Sequence, residues 1–471
     1  MRPATARIAV RPALATMLAM GLLGGAALLG CGGGNGGNPD GGNHPDGGTP
    51  DVPPVTRLVW RQVKVDDPNA GHQPELVRAP DGSLGVVYYR MTGNVDTCTR
   101  VDPPAPVNRY EIVYAYEKAD GTFAKEVAAT VNLLNLQGVS LAYDAAGNAA
   151  IAYMGGGEAD YRCGGTDAML ARRTGANSWT TTTVGVDGND NPVFTEDTAQ
   201  CAAYQDTCHV GDVVGTWPSL AFAGSDPLMV YQDIHFGFAQ DDFEKGDLEL
   251  SLAGSRMDID SVRGAGTFAK ILIEDDGNPS VAHYCQFALA GGIWQTWKDG
   301  AGWHRQKVVP RMSIGYRLGY ARFGAVHGIA YYPPSQERQD IEQKLWYIES
   351  IQNMVWGTAE VVDAQGDTGK SPSLAYDPAG RPAIAYYRCR DQYDPTTRDC
   401  VQSTDGVMLA VKGNVWESVL VWNDQGVYDG LYVSLAYDKD GLPAIAYQAT
   451  STDTTTNEVV NELIIARSKV Q

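Results

Sequence analysis

A closed ring of small antiparallel sheets, a seven-bladed β-propeller, is the fold this sequence predicts, and three observations predict it. A strand–turn–strand unit recurs: PELVRAPDGSLGVVYY at 74–89, VSLAYDAAGNAAIAY at 139–153, PSLAFAGSDPLMVY at 218–231, PSLAYDPAGRPAIAYY at 372–387 and VSLAYDKDGLPAIAYQ at 433–448. Most units continue into a third apolar strand and then a fourth that opens on an aromatic residue. The last unit stops at Gln471 directly after its third strand, while an unassigned strand, TRLVWRQVKV with Trp60, stands before the first unit. A ring of sheets closes when its N-terminal strand completes the final sheet, which removes the open edges a linear array would leave.

Within each unit the residues alternate. Leu374 and Tyr376 flank Ala375, Asp377 to Gly380 makes a turn, and Ile384 and Tyr386 begin a second alternating run. That is the signature of a hairpin. Gly147, Gly380 and Gly441 are expected to take positive φ in the turn. The alanines at 375, 385, 436 and 446 point to tight packing of sheet on sheet. Weaker copies begin at Pro279 (PSVAHYC) and Ser313 (SIGYRLGY). The aligned aliphatic residues of the first strands are then Leu76, Leu141, Leu220, Val281, Ile314, Leu374 and Leu435, spaced 65, 79, 61, 33, 60 and 61 residues apart. Third strands are expected at 111–116, 169–173, 248–253, 345–350, 407–412 and 462–467. The aromatic openings of the fourth strands are Phe123, Trp179, Phe268, Trp303, Trp356 and Trp416, with Trp60 as the seventh. The count is seven blades, or six if the short unit at 279–311 is not independent. A β-sandwich array or β-helix is less suited to four strands per unit, and 3.6-residue periodicity is absent, which excludes a helical solenoid.

Composition narrows the partners. The 471 residues carry 36 Lys+Arg against 56 Asp+Glu, a net charge of −20, with 44% hydrophobic residues. The chain is too apolar for a disordered protein. A pI near 4.7 argues against nucleic acid, whose phosphates need a basic surface, and against electrostatic docking on anionic lipid.

The N-terminus reads as an address. Arg2, Arg7 and Arg11 precede an apolar run from Ala13 to Leu29, too short and too rich in Gly and Ala for a membrane span. The run ends Leu28-Leu29-Gly30-Cys31. This resembles the lipobox of bacterial lipoproteins. The resemblance implies that residues 1–30 are a signal peptide and that Cys31 is lipidated and becomes the new N-terminus. It also implies sorting to the outer membrane of a Gram-negative cell, because Gly32 is not an Asp. An ordinary secretory signal with an incidental Cys is the alternative. Cleavage would remove three arginines and no acid, so −20 becomes −23. Residues 31–56, rich in Gly, Asn, Pro and Asp, form a flexible tether with a reach of roughly 25–30 Å, and His44 within it is a spacer residue. The propeller then occupies 57–471.

Seven cysteines remain. Cys98 and Cys163 occupy equivalent loops of neighbouring blades, Cys201 and Cys208 share one loop, and Cys389 and Cys400 share another. Three disulfides are expected from these pairs, with Cys285 left as a buried thiol. No C-x₂-C spacing favours zinc. Asp187, Asn189 and Asp190 form an oxygen-rich run that suits calcium or a plain turn. No other cofactor is expected.

In a propeller the loops between strands two and three, and from strand four to the next blade, share one face. Here they are the long ones: 90–109, 155–167, 187–214, 232–247 and 388–400. That face is expected to be the binding surface. Its candidates are Tyr89, Arg90, Tyr161, Arg162, Asp233, His235, Arg388, Arg390 and Asp391, because Tyr rings with Arg and Asp suit a glycan or peptide. A solvated loop face with local salt bridges is the plainer alternative.

The organisation resembles the sialidase-like and Asp-box propellers. In that group the pattern S-x-D-x-G-x-x-W lies between third and fourth strands. Here Asp377 and Gly380 are three apart, between first and second strands, with no Trp after them. Sialidases also use three arginines on a carboxylate, with a Tyr–Glu pair and an acid Asp. Arg90, Arg162 and Arg388 lie at comparable strand ends, and no Tyr, Glu and Asp match beside them. The expected protein is therefore a monomeric, lipid-anchored propeller that binds or scaffolds a glycan or protein; whether it is an enzyme stays open. The alternatives are a propeller glycosidase or lyase acting on polysaccharide, and a structural partner in a surface complex. Replacing Cys31 by Ala is expected to move the protein from the membrane fraction to the soluble fraction; continued membrane anchoring of the variant would remove the lipid assignment.

Overall fold

The Leu-Ala-Tyr and Ile-Ala-Tyr runs pair as strands because their alternation buries one row of side chains on each face of a sheet that is covered on both sides. In the computed structural model the described residues are 55–98, 104–155, 166–186, 213–234, 246–252, 254–262, 264–286, 291–310, 317–333, 344–352, 354–389, 405–423, 429–452 and 459–471. The signal sequence, Cys31 and the tether expected at 31–56 fall outside them, apart from the last two tether positions.

Seven antiparallel sheets form seven blades. In order from the inner strand outward, blade 1 is His72–Arg78, Leu84–Cys98, Ala105–Glu117 and Phe123–Leu133; blade 2 is Val139–Tyr143, Ala149–Gly155, Asp167–Gly175 and Ser178–Gly185. Blade 3 is Val213–Ala223, Asp226–Ile234, Gly246–Leu252 and Ser255–Asp260; blade 4 is Thr267–Ile273, Pro279–Cys285, Gly292–Asp299 and Gly302–Val309. Blade 5 is Gly319–Phe323, Val326–Tyr331 and Leu345–Gln352, whose outer edge pairs with both Val355–Trp356 and Glu360–Asp363. Blade 6 is Asp367–Tyr376, Pro382–Cys389, Asp405–Lys412 and Trp416–Trp422. Blade 7 takes Asp429–Tyr437, Pro443–Thr452 and Val459–Val470 from the end of the chain and Leu58–Asp66 from the start. Trp60 lies opposite Ser468 and Lys64 opposite Ile464 in that last pairing. The ring closes as the sequence predicts, with seven blades.

The middle of the ring corrects the sequence register. The inner strand of blade 4 is Thr267–Ile273, so Ile271 takes the aligned position, and Val281 sits on the second strand. In blade 5 the position belongs to Tyr320, and Ile314 lies outside the described residues. The spacings become 65, 79, 51, 49, 54 and 61, and the anomalous short unit disappears. Phe268 is therefore an inner-strand residue. The fourth strand of blade 3 carries Arg256 where other blades carry an aromatic. Residues 90–98 and 105–109 are not loop: the second and third strands of blade 1 continue through them as a long hairpin.

Two local devices hold each unit. In the turns at 144–147, 377–380 and 438–441 the Asp carboxylate accepts two backbone N–H groups, as Asp377 Oδ1 does from Ala379 and Arg381, both at 2.9 Å. Gly380 follows at φ 79°, where a side chain would cost conformational energy. Between blades, a residue of one inner strand accepts the N–H of the next. Leu141 N–H donates to Glu75 Oε2 (3.1 Å), Leu220 N–H to Ser140 Oγ (3.1 Å) and Ile271 N–H to Ser219 Oγ (3.1 Å). Leu435 N–H donates to Ser373 Oγ (2.9 Å) and Leu76 N–H to Ser434 Oγ (2.8 Å). At the two remaining junctions the same position is Lys270 or Gly319, and a Cβ on Gly319 would come within 2.7 Å of Leu374 N.

Replacing Ser434 or Ser219 by Ala leaves a buried N–H without its acceptor. Each change is expected to cost about 1–2 kcal/mol, additively because the junctions share no partner. Chemical denaturation measures it; unchanged midpoints would remove these bonds as a stabilising seam.

Candidate functional site at the axial mouth

Each inner strand enters the ring from the face that carries the long loops and leaves by a short turn on the other. Three residues before the aligned position, every blade places one residue at positive φ. These are Gln73 (53°), Gly138 (90°), Trp217 (49°), Phe268 (54°), Arg317 (36°), Ser371 (51°) and Tyr432 (59°). In five blades the strand pairing shifts register at this point, so the residue is the extra member of a bulge. Two residues upstream stands a glycine in blades 1, 3, 4 and 6: Gly71, Gly215, Gly266 and Gly369, all at positive φ. A Cβ on Gly215 would lie 2.7 Å from Ala168 Cα on the third strand of blade 2. The glycine lets the inner strand press against its neighbour, and the bulge then turns the following side chain toward the axis.

The ring side chains meet across the axis. Arg317 of blade 5 donates from Nη2 to Gln73 Oε1 of blade 1 (3.0 Å). Its guanidinium lies 5.7 Å from the Trp217 ring of blade 3 and 4.8 Å from the Tyr432 ring of blade 7. Trp217 and Phe268 touch, with centroids 4.2 Å apart. Gln73 is fixed by Gly138 N–H (2.5 Å) and by its own amide on Leu136 O (2.8 Å). Burial draws the Arg317 pKa below the ordinary guanidinium value, with Tyr432 and Glu75 acting in the opposite sense. One layer deeper, Lys270 Nζ of blade 4 reaches Glu75 Oε1 of blade 1 (2.8 Å). The Glu75–Lys270 pair spans from blade 1 to blade 4 in the layer below Arg317 and the rings. Gly138, Trp217, Phe268, Lys270 and Arg317 border a small cavity there.

Of the residues read from the sequence, the four that are described, Tyr89, Arg90, Asp233 and Arg388, lie outside this ring. Tyr89 is fully buried, and its hydroxyl donates to Gly138 O (2.7 Å), bracing the ring from behind; burial pushes its pKa up. Arg90 donates from Nε and Nη2 to Glu111 Oε2 (2.9 and 2.6 Å) and from Nη1 to Asp66 Oδ2 (3.0 Å). Asp66 also holds Lys125 and the Tyr88 hydroxyl, so this cluster ties blade 7 to blade 1. Asp233 is buried and accepts from Arg256 Nη2 (2.6 Å). Arg388 is half-buried at the end of the second strand of blade 6, opposite Thr368. Tyr161, Arg162, His235, Arg390, Asp391 and the calcium run at Asp187, Asn189 and Asp190 lie outside the described residues. Cys285 is a buried thiol and Cys98 and Cys389 are disulfide-bonded; Cys163, Cys201, Cys208 and Cys400 lie outside the described residues. The glycine two residues before Gln73, Trp217, Phe268, Arg317, Ser371 and Tyr432 was the sequence signal for the axial ring.

These features define a seven-bladed β-propeller whose axial mouth sets an arginine among aromatic rings. No protein-family profile matches the chain, and no curated protein matches it. Among solved structures, a protein of unknown function from Dyadobacter fermentans is similar at 9% identity, covering 88% of this chain and all of that one, with a TM-score of 0.51. The NanB sialidase of Streptococcus pneumoniae covers 86% of this chain and 69% of its own at 11% identity and a TM-score of 0.45. The sialidase of Trypanosoma rangeli covers 84% of this chain at 10% identity and a TM-score of 0.42, and this chain spans 59% of its length. At these identities the likeness is one of fold.

Blade 3 holds a charged cluster away from the mouth. Glu249 and Asp233, both buried, share Arg256, and Tyr231 donates to Glu249 Oε2 (3.0 Å). Burial, and next the Asp233 charge, hold the Glu249 pKa well above its usual 4.5. The folded state therefore binds this proton more tightly than the unfolded chain, and stability falls as pH rises above about 4.5 toward the raised native value. Each unit of upward shift is about 1.4 kcal/mol. Glu249→Gln is expected to flatten the loss of stability between pH 5 and pH 8 in urea denaturation; an unchanged slope would count against it.

Proposed function

We propose that this protein is a lipid-anchored envelope protein whose propeller is a binding and scaffolding module, taking a glycan or protein ligand on the long-loop face. The observation that carries the reading is the axial ring. Six residues other than glycine are held in the left-handed region at one layer of the molecule, three of them Trp, Phe and Tyr. Such conformations cost of order 1–3 kcal/mol each and persist where the surrounding structure enforces them, commonly at ligand sites. The ring side chains differ from blade to blade although the backbone repeats. Uniform packing needs would have favoured one residue type around the ring.

The chemistry of the mouth suits recognition. Aromatic faces and a guanidinium bind ring and acceptor groups. Glycoside hydrolysis needs two carboxylates roughly 5–10 Å apart. Among the described residues the axial layers offer Glu75, and Lys270 and Leu141 N–H already engage it. The same reading places the lipid at Cys31, on the outer membrane, with the tether holding a monomeric propeller away from the bilayer. It pairs Cys98 with Cys163, Cys201 with Cys208 and Cys389 with Cys400, which would brace the long loops.

Glycan arrays, pull-down from envelope extracts and a hydrolysis screen, all with the full chain, test the proposal. Saturable binding without turnover is the expected result. Turnover that is lost on replacing a long-loop carboxylate, with folding intact, would replace the module by a hydrolase or lyase.

A further inference from the structure

Arg317 is the feature of the mouth that the fold leaves incomplete. Its Nη2 is bound to a neutral amide oxygen. Its Nε is buried and has no hydrogen-bond partner among the described residues. No carboxylate among them reaches it, and Glu75, a layer deeper, is held by Lys270. A buried donor on a charged group without an acceptor is costly, so an arginine kept there calls for an acceptor from outside. Trp217 and Tyr432 flank the guanidinium, and a guanidinium held against aromatic rings still presents its N–H edge to a planar acceptor. The planar oxygen pair that fits this edge is a carboxylate.

We infer that the axial mouth receives the free carboxylate end of a peptide chain, with Arg317 as its partner and the joined Trp217–Phe268 wall as the seat for the last side chain. This rests on reading the long-loop face as a binding surface, and it names the ligand class. Two observations favour a peptide end over an acidic polysaccharide. The chain carries a net charge of −20, so its field repels a polymer with a charge on every sugar, whereas a chain end meets that repulsion once. The wall made by Trp217 and Phe268 is apolar and continuous, which matches a terminal aliphatic or aromatic side chain.

The test uses the full chain in detergent, with acetyl-Ala-Ala-Leu as free acid, the same peptide amidated at its C-terminus, and tri-galacturonate, read by calorimetry. The free acid is expected to bind at least about tenfold more tightly than the amide, Arg317→Gln to abolish that preference, and Arg317→Lys to retain part of it. Tyr432→Leu keeps the charge and removes one flanking ring. It is expected to weaken the free acid about threefold or more while the preference over amide survives, and it decides the matter if Arg317→Gln does not fold. Equal binding of acid and amide, no binding of the acid at millimolar concentration, tri-galacturonate bound in place of the peptide, or an unchanged acid preference in Arg317→Gln would each overturn the inference. A glycan or protein ligand from the arrays that binds Arg317→Gln as well as wild type would leave the binding module standing and remove the mouth as its site.

Discussion

At five of the seven junctions the inner strands meet their neighbours through a side-chain oxygen placed on a backbone N–H, and the ring depends on that contact. A sheet can satisfy its own ladder, but its innermost strand faces the axis with one edge unpaired. An unpaired buried N–H is expensive. Serine at the position before the aligned aliphatic residue, or Glu75 in blade 1, supplies the acceptor across the junction. The pairing of Leu58–Asp66 with Val459–Val470 completes the circuit.

From the packing of the blades follows the bulge. In blades 1, 3, 4 and 6 the packing brings the inner strand onto the backbone of the preceding blade's third strand, and glycine fits the point of approach, as at Gly71 against Leu463. The strand then has an extra residue to place, and the direction left open is toward the axis. The strained positions are thus a product of ring geometry, while their side chains are under no common packing demand. Gln73 and Arg317 link blades across the channel, and Trp217 and Phe268 form a wall. The basic and aromatic character of the mouth is local: Glu75 and Lys270 neutralise each other directly below it.

Polar seams at the rim tell a related story. Tyr88 donates to Asp66 and Tyr386 to Asp363, each acid lying on the outer strand of the preceding blade. In blade 4, His283 stands at the equivalent position beside Asp260. Blade 2 ends in Gly185, which leaves space for the Tyr231 hydroxyl, and there the acceptor is Glu249 of the same blade as the tyrosine. Arg90 and Asp233, which read as surface groups from their place at strand ends, are drawn into these seams. A loop-end Arg or Asp looks the same in sequence whether it meets solvent or an oppositely charged neighbour from another blade.

The closing strand, the hairpins with their Asp-capped turns and the number of blades were legible in the residues, because alternation and turn chemistry act over a few neighbours. In blade 4, PSVAHYC is a second strand that alternates just as a first strand does; a period of two marks a strand without saying which one it is. Phe268 carries the same ambiguity, since an aromatic after Gly-Thr opens an inner bulge as readily as an outer strand. What the sequence determined by itself is local: strands, turns and the order in which they come. The convergence of Gln73, Trp217, Arg317 and Tyr432 belongs to the tertiary structure alone, because these residues are separated by up to 359 positions and share a site only through the curvature that seven packed blades impose.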